Sequence, residues 1–233
     1  MVQRDYLVRQ LETFMRGLAQ AVLLREAQRE VTAALVLDDL SERFLGVRAT
    51  ELAALSYRAL AARIAVGDEG DLDRRLIAAD LLDETALLME AEGRSEAALS
   101  VYALSFRLLA EIGESRGRGA VEEREGRLDR AASRILRADL DRDTLVLLWR
   151  HQLRMGRYAA AEDILFPLLE AAVEGGRQGH GLVAAGVEAY EALLERSDAD
   201  LESGGLPRDE VLESLEELRA RRSGHLHPPL PPG

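Results

Sequence analysis

Apolar residues recur at three- and four-residue steps along nearly all of the 233-residue chain, the period of helices with one face buried. Leu7, Leu11, Phe14, Leu18 and Val22 make the first stripe and predict a helix over residues 3–24. A second helix, to residue 45, carries Val31, Leu35 and Phe44 and ends where Gly46 can supply a left-handed cap. Thr50 is placed to cap a third helix over residues 50–66, closed by the glycine-bounded run 67–70. The fourth starts at Asp71, buries Leu72, Leu76, Ala79, Leu82, Ala86 and Met89, and stops at Gly93. The fifth presents Ala98, Tyr102, Ser105, Leu109 and Ile112 before a loop holding Gly113, Gly117 and Gly119.

Five more helices are predicted over 121–138, 142–155, 158–173, 181–196 and 208–222. Pro207 suits the first turn of the last, where a missing amide hydrogen costs no bond. Pro167 falls inside a helical pattern and is expected to kink it or open the ladder near Asp163. Ser197 and Asp200 form a capping pair for one short turn before Gly204 and Gly205. The segment 223–233, ending in alternating histidines and four prolines, cannot be helical and is expected to be disordered or polyproline-like.

Aromatic residues make up only 4% of the chain and β-branched runs are scarce, so strands have little to build on. The fold class that follows is all-α, built of antiparallel helix hairpins. One helical domain is expected over 1–222, with N-terminal helices in 1–66, hairpins in 71–174 and C-terminal helices in 181–222.

An internal repeat sharpens this. Gly93, Gly126 and Gly156 each precede an alanine five residues on (Ala98, Ala131, Ala161) and a large apolar residue nine on (Tyr102, Ile135, Leu165). A small side chain at that phase lets helix axes approach to roughly 8–10 Å. Over residues 72–172 the pattern resembles the tetratricopeptide family, most clearly in Met155-Gly-Arg-Tyr-Ala-Ala-Ala-Glu, with a period near the family's roughly 34 residues. It departs from the family at Trp149, where a small residue is usual, and at Gln152, where an aromatic is. The opening Arg4-Asp-Tyr-Leu-Val-Arg-Gln-Leu-Glu, the block at 82–93 and the closing Leu201-Glu-Ser-Gly-Gly-Leu-Pro-Arg-Asp-Glu-Val also resemble a bacterial all-helical family that brings no assigned activity.

Composition narrows the function classes. The chain has no cysteine, which removes disulfides, thiolate metal sites and cysteine nucleophiles. Lysine and asparagine are absent too, a codon bias that suggests a GC-rich bacterial genome. A net charge of -12 repels phosphate backbones and anionic lipid, so neither nucleic acid nor membrane is an expected partner. Without a long apolar block or a basic stub before one, the expected location is the cytoplasm.

Candidate chemistry is sparse. His225 and His227 alternate in the tail, where two imidazoles without a third ligand make a poor metal site. His151 could serve as a general base, but no nucleophile stands near it in sequence, and packing is the simpler role. His180 falls in a glycine-rich loop without the lysine and hydroxyl a phosphate loop requires. Carboxylates cluster at Asp38 and Asp39, at Asp80, Asp83 and Glu84, and at Glu122, Glu123 and Glu125, but no Glu-x-x-His partner motif accompanies them. No catalytic residue, cofactor or metal is therefore assigned.

The resemblance to tetratricopeptide arrays implies a concave groove, with Asp80, Asp83 and Glu84 at an acidic end and Arg150 and Arg154 at a basic one. Such a groove would grip a peptide or a charged partner helix. The leading expectation is a non-enzymatic interaction or scaffold protein, working as a homodimer. The alternative is a small-molecule or lipid sensor with an apolar pocket around Trp149 and Tyr190. A metal-dependent helical-bundle enzyme is the third reading.

Overall fold

A computed structural model describes residues 2–65, 71–112, 118–136, 138–173 and 178–223. The expectations about the loops at 67–70 and 113–117, the side chains of Leu7, Leu72, Glu122 and Glu123, and the histidine- and proline-bearing tail lie outside the described residues. Twelve helices and no strand are formed among the described residues. They divide into two compact units, residues 1–140 and 141–233.

The first unit holds α1 (Val2–Glu26), α2 (Glu30–Leu45), α3 (Ala49–Ala53), α4 (Tyr57–Ile64), α5 (Asp71–Ala91), α6 (Ser95–Ala110) and α7 (Arg118–Ile135). Helix α5 is its hub, packing against α1, α2, α3, α4 and α6, while α7 packs on α6. A helix with neighbours on several sides must be apolar around most of its girth. Ile77, Ala78, Ala79, Leu81, Leu82, Ala86 and Leu88 are accordingly all buried.

The second unit holds α8 (Arg142–Arg154), α9 (Tyr158–Val173), α10 (Gln178–Leu194), α11 (Asp198–Ser203) and α12 (Arg208–Arg222). Helices α8 and α9 form a hairpin, α10 packs on α9, and α12 packs on α10.

Two of the repeat glycines turn hairpins. Gly93 and Gly156 adopt φ of +78° and +71°, which glycine reaches without the steric cost of a Cβ. Each turn closes with the same bonds, Gly93 N to Glu90 O and Arg94 N to Met89 O in one, Gly156 N to Leu153 O and Arg157 N to Gln152 O in the other. Gly126 differs. It lies within α7 and turns nothing, because the residues on both sides continue the helix. The three repeat alanines, Ala98, Ala131 and Ala161, are all buried.

Other local expectations are revised. The single helix over 50–66 is two, because Ser56 accepts a hydrogen bond from Ala59 N and starts α4 afresh. Thr50 caps nothing and instead donates its backbone N–H and hydroxyl to Asp38 Oδ1, each at 3.1 Å. Helix α9 runs through Pro167 to Val173, with Pro167 and Asp163 both on its exposed side, where water can serve the freed carbonyl. Ser197 does cap α11, accepting from Asp200 N at 3.2 Å.

Candidate functional site

The expected acidic end of a groove lies largely inside the first unit. Glu84 is buried on α5 and receives Arg25 Nε of α1 at 2.5 Å. A carboxylate taken out of water needs such a cation, since desolvation would otherwise expel its charge. Glu84 in turn holds Arg25 above its ordinary pKa, through that hydrogen bond first of all. Asp80 pairs with Arg127 of α7 at 2.7 Å. Asp83 is mostly buried, and its Oδ1 is shut away without a hydrogen-bond partner. Desolvation is the largest influence on Asp83 and lifts its carboxyl to about 6. Glu84 and Asp80 tie helices together, while Asp83 is largely enclosed, with no hydrogen bond to its Oδ1.

In the second unit, Arg150 and Arg154 are exposed on α8, and Arg154 Nη2 lies 3.1 Å from His151 Nδ1. The acids and these arginines fall in separate units, each compact by itself. Trp149 and Tyr190 are both buried core residues. The Tyr190 hydroxyl donates to Glu162 Oε1 at 3.0 Å, which also receives the Ser214 hydroxyl at 2.5 Å. Burial first, then Glu162, drives the Tyr190 phenol far above its usual range. Trp149 Nε1 and Gln152 Oε1, a donor and an acceptor three residues apart on α8, are buried without hydrogen-bond partners. His151 is buried beside them, the packing position expected of it.

Beside Glu162 lies an open cleft of about 450 Å³, lined by Phe166, Glu210, Glu213, Ser214 and Glu217. Among the described residues, no group of three or more His, Asp or Glu could hold a metal ion.

Most of the exposed large apolar side chains among the described residues lie on α1 and α2. Leu11, Met15 and Leu23 on α1 and Val31 and Leu35 on α2 are between 48% and 77% exposed, and they are five of the eight large apolar side chains left in water among the described residues. Val31 and Leu35 were expected in the core. They face away because Ala33, Leu37, Leu40 and Leu45, on the other side of α2, are the residues its neighbours cover. On α1, Phe14 and Ala21 are buried, while Leu11, Met15, Ala19 and Leu23 follow one another at four-residue steps along an outer ridge. That spacing is visible in the sequence, but it merges there with the wider stripe through Leu18 and Val22. A cleft of about 450 Å³ between the two helices is lined by Arg16, Gln20, Leu35, Asp39 and Arg43. No helix among the described residues is long and apolar enough to cross a membrane.

A model of a family of unknown function, DUF6483, matches residues 1–223, and the chain belongs to that family. No curated protein and no solved structure matches it.

Proposed function

We propose that this member of the DUF6483 family is a non-enzymatic interaction protein that works as a homodimer, paired through the outer ridge of α1. The exposed line Leu11, Met15, Ala19 and Leu23 carries the reading. Single exposed leucines are ordinary on a protein surface, but a sustained ridge at helical spacing is the form a partner helix recognises. Two antiparallel copies crossing at Ala19 would set Met15 of each against Leu23 of the other, with the small alanines allowing close approach.

Charge favours this face. The whole chain carries -12, so two copies repel through most of their surfaces. Helix α1 has four arginines against three acids, so it does not share the acidic balance of the whole chain. The exposed Arg150 and Arg154 remain available to a second, acidic partner, whereas Asp83 and Glu84 do not.

Sedimentation velocity on the full chain tests the dimer. Wild type is expected at twice the monomer mass at tens of micromolar, and the Met15→Glu/Leu23→Glu variant at monomer mass with an unchanged helical circular dichroism spectrum. A monomeric wild type, or a dimeric variant, would remove the proposal.

One observation favours a second reading, a small-molecule or lipid sensor. The orphaned Trp149 N–H and Gln152 carbonyl oxygen would be satisfied together by a small ligand that both accepts and donates. Native mass spectrometry of the purified protein separates the two, since a sensor carries added mass and a scaffold runs as an empty oligomer.

A further inference from the structure

We infer that the cleft between α1 and α2 binds a small amphipathic anion from solution, a single apolar chain ended by a monoanionic head such as a carboxylate. The site rests on other side chains than the α1 pairing, so either can fail alone.

At about 450 Å³ the cleft falls within the size range of small-molecule sites. Gly17 and Leu40 meet at its floor, where a Cβ on Gly17 would come within 2.5 Å of Leu40 Cδ2. Glycine weakens the middle of a helix, and here it is what lets α1 and α2 close together beneath the cleft.

The register of the two walls gives the cleft two unlike ends. The Phe14 and Phe44 rings meet edge to face with centroids 5.3 Å apart, so residues 14–17 of α1 run beside residues 40–44 of α2. Arg16 on one wall and Arg43 on the other therefore share an end. Leu35, two turns back along α2 and about 12 Å from Arg43, makes the opposite end apolar. Val31 continues that side of α2 one turn further, and both are largely exposed.

The cationic end is unspent. Other arginines of this unit are engaged, Arg25 with Glu84, Arg127 with Asp80, and Arg74 with the carbonyls of Phe44, Leu45 and Ile64. Among the described residues, neither the Arg16 nor the Arg43 guanidinium has an ion-pair or hydrogen-bond partner; Arg43 lies 5.8 Å from the centre of the Phe44 ring. Planar guanidiniums present paired N–H donors that match the oxygens of a carboxylate or phosphate. Gln20, one turn from Arg16 on the same wall, adds an amide N–H.

Two arginines face one acid in the lining, Asp39, so the cleft is net positive in a chain of -12. Asp39 disfavours a doubly charged head, which selects a monoanion. Charge farther away is screened over about 8 Å at physiological ionic strength, leaving the contact groups to decide.

Isothermal titration calorimetry on the full chain tests this with octanoate, alongside acetate, the head without the chain, and octanol, the chain without the charge. Wild type is expected to bind one octanoate with a Kd of about 0.1 mM, and both controls at least about tenfold more weakly. Arg16→Gln/Arg43→Gln, at two exposed positions, should keep the helical circular dichroism spectrum and weaken octanoate by at least about tenfold. Leu35→Glu should weaken it similarly with both arginines in place. No binding to wild type at about 1 mM, equal binding of either control, or an arginine variant that binds as wild type does would overturn the site. Flotation with phosphatidylglycerol vesicles separates the sources of such a head. The chain is expected to stay in solution, and flotation that the arginine variant loses would overturn a free ligand in favour of a lipid headgroup.

Discussion

The two compact units solve the burial of polar atoms in different ways. Residues 1–140 take carboxylates inside and match them with arginine: Glu84 with Arg25 at 2.5 Å and Asp38 with Arg48 at 2.9 Å. Among the described residues of 141–233, the buried polar side chains, Thr144, His151 and Gln152, include no carboxylate. That unit is instead drawn tight by backbone contact, in which Gly204 O accepts from Ala159 N at 3.1 Å and fixes the turn after α11 to the start of α9. Buried charge makes a structure vulnerable to the loss of a partner, while close backbone approach makes it vulnerable to the gain of an atom. The first unit should therefore respond to deletions and to pH, the second to additions.

The largest effect should come from Glu84→Ala. It leaves Arg25 partly buried without its anion and should lower the stability of the first unit by about 3 kcal/mol in urea unfolding. Recovery in the Arg25→Met/Glu84→Met double variant would show that the orphaned charge, and not lost packing, carried the cost. Gly204→Ala should follow in the second unit. A Cβ there would meet Gly156 O at 2.5 Å and press on the Tyr158 ring, so a loss of about 2 kcal/mol is expected. Trp149 is the only tryptophan and lies in this unit, so its fluorescence melt reads the change directly. If Gly204→Ala melts like wild type, the contrast between the units fails.

Ser197→Ala removes the cap of α11 and should cost about 1 kcal/mol by the same fluorescence. Arg219→Ala comes last. Its pair with Glu191 at 2.7 Å is about half exposed on both sides, so water and salt compensate for most of it. A change within about 0.5 kcal/mol is expected, and a larger one would show that exposed pairs matter in this unit as buried ones do in the other.

Much of the helix order was readable because it is local. Glycine at 46, 93 and 156 ends a helix in the left-handed conformation, and Ser197 caps its own next turn. The errors have a common origin as well. Thr50 was read as a cap from its neighbours in sequence, yet it bonds Asp38, twelve residues away. Gly126 matched the phase of the other repeat glycines, but no turn forms where the flanking residues favour continued helix. The outer ridge on α1 merges in the sequence with the wider apolar stripe, because periodicity reports that a face is apolar, not whether a neighbour covers it.

The amino-acid sequence by itself determined that this protein is helical and where most helices turn, since both depend on residues within a few positions of one another. Only the tertiary structure decided which acids go inside and which leucines stay out. Arg25 reaches Glu84 across 59 residues, and Arg127 reaches Asp80 across 47. A carboxylate enters a core only where a distant cation arrives to meet it, and an apolar side chain is buried only where another helix comes to lie over it.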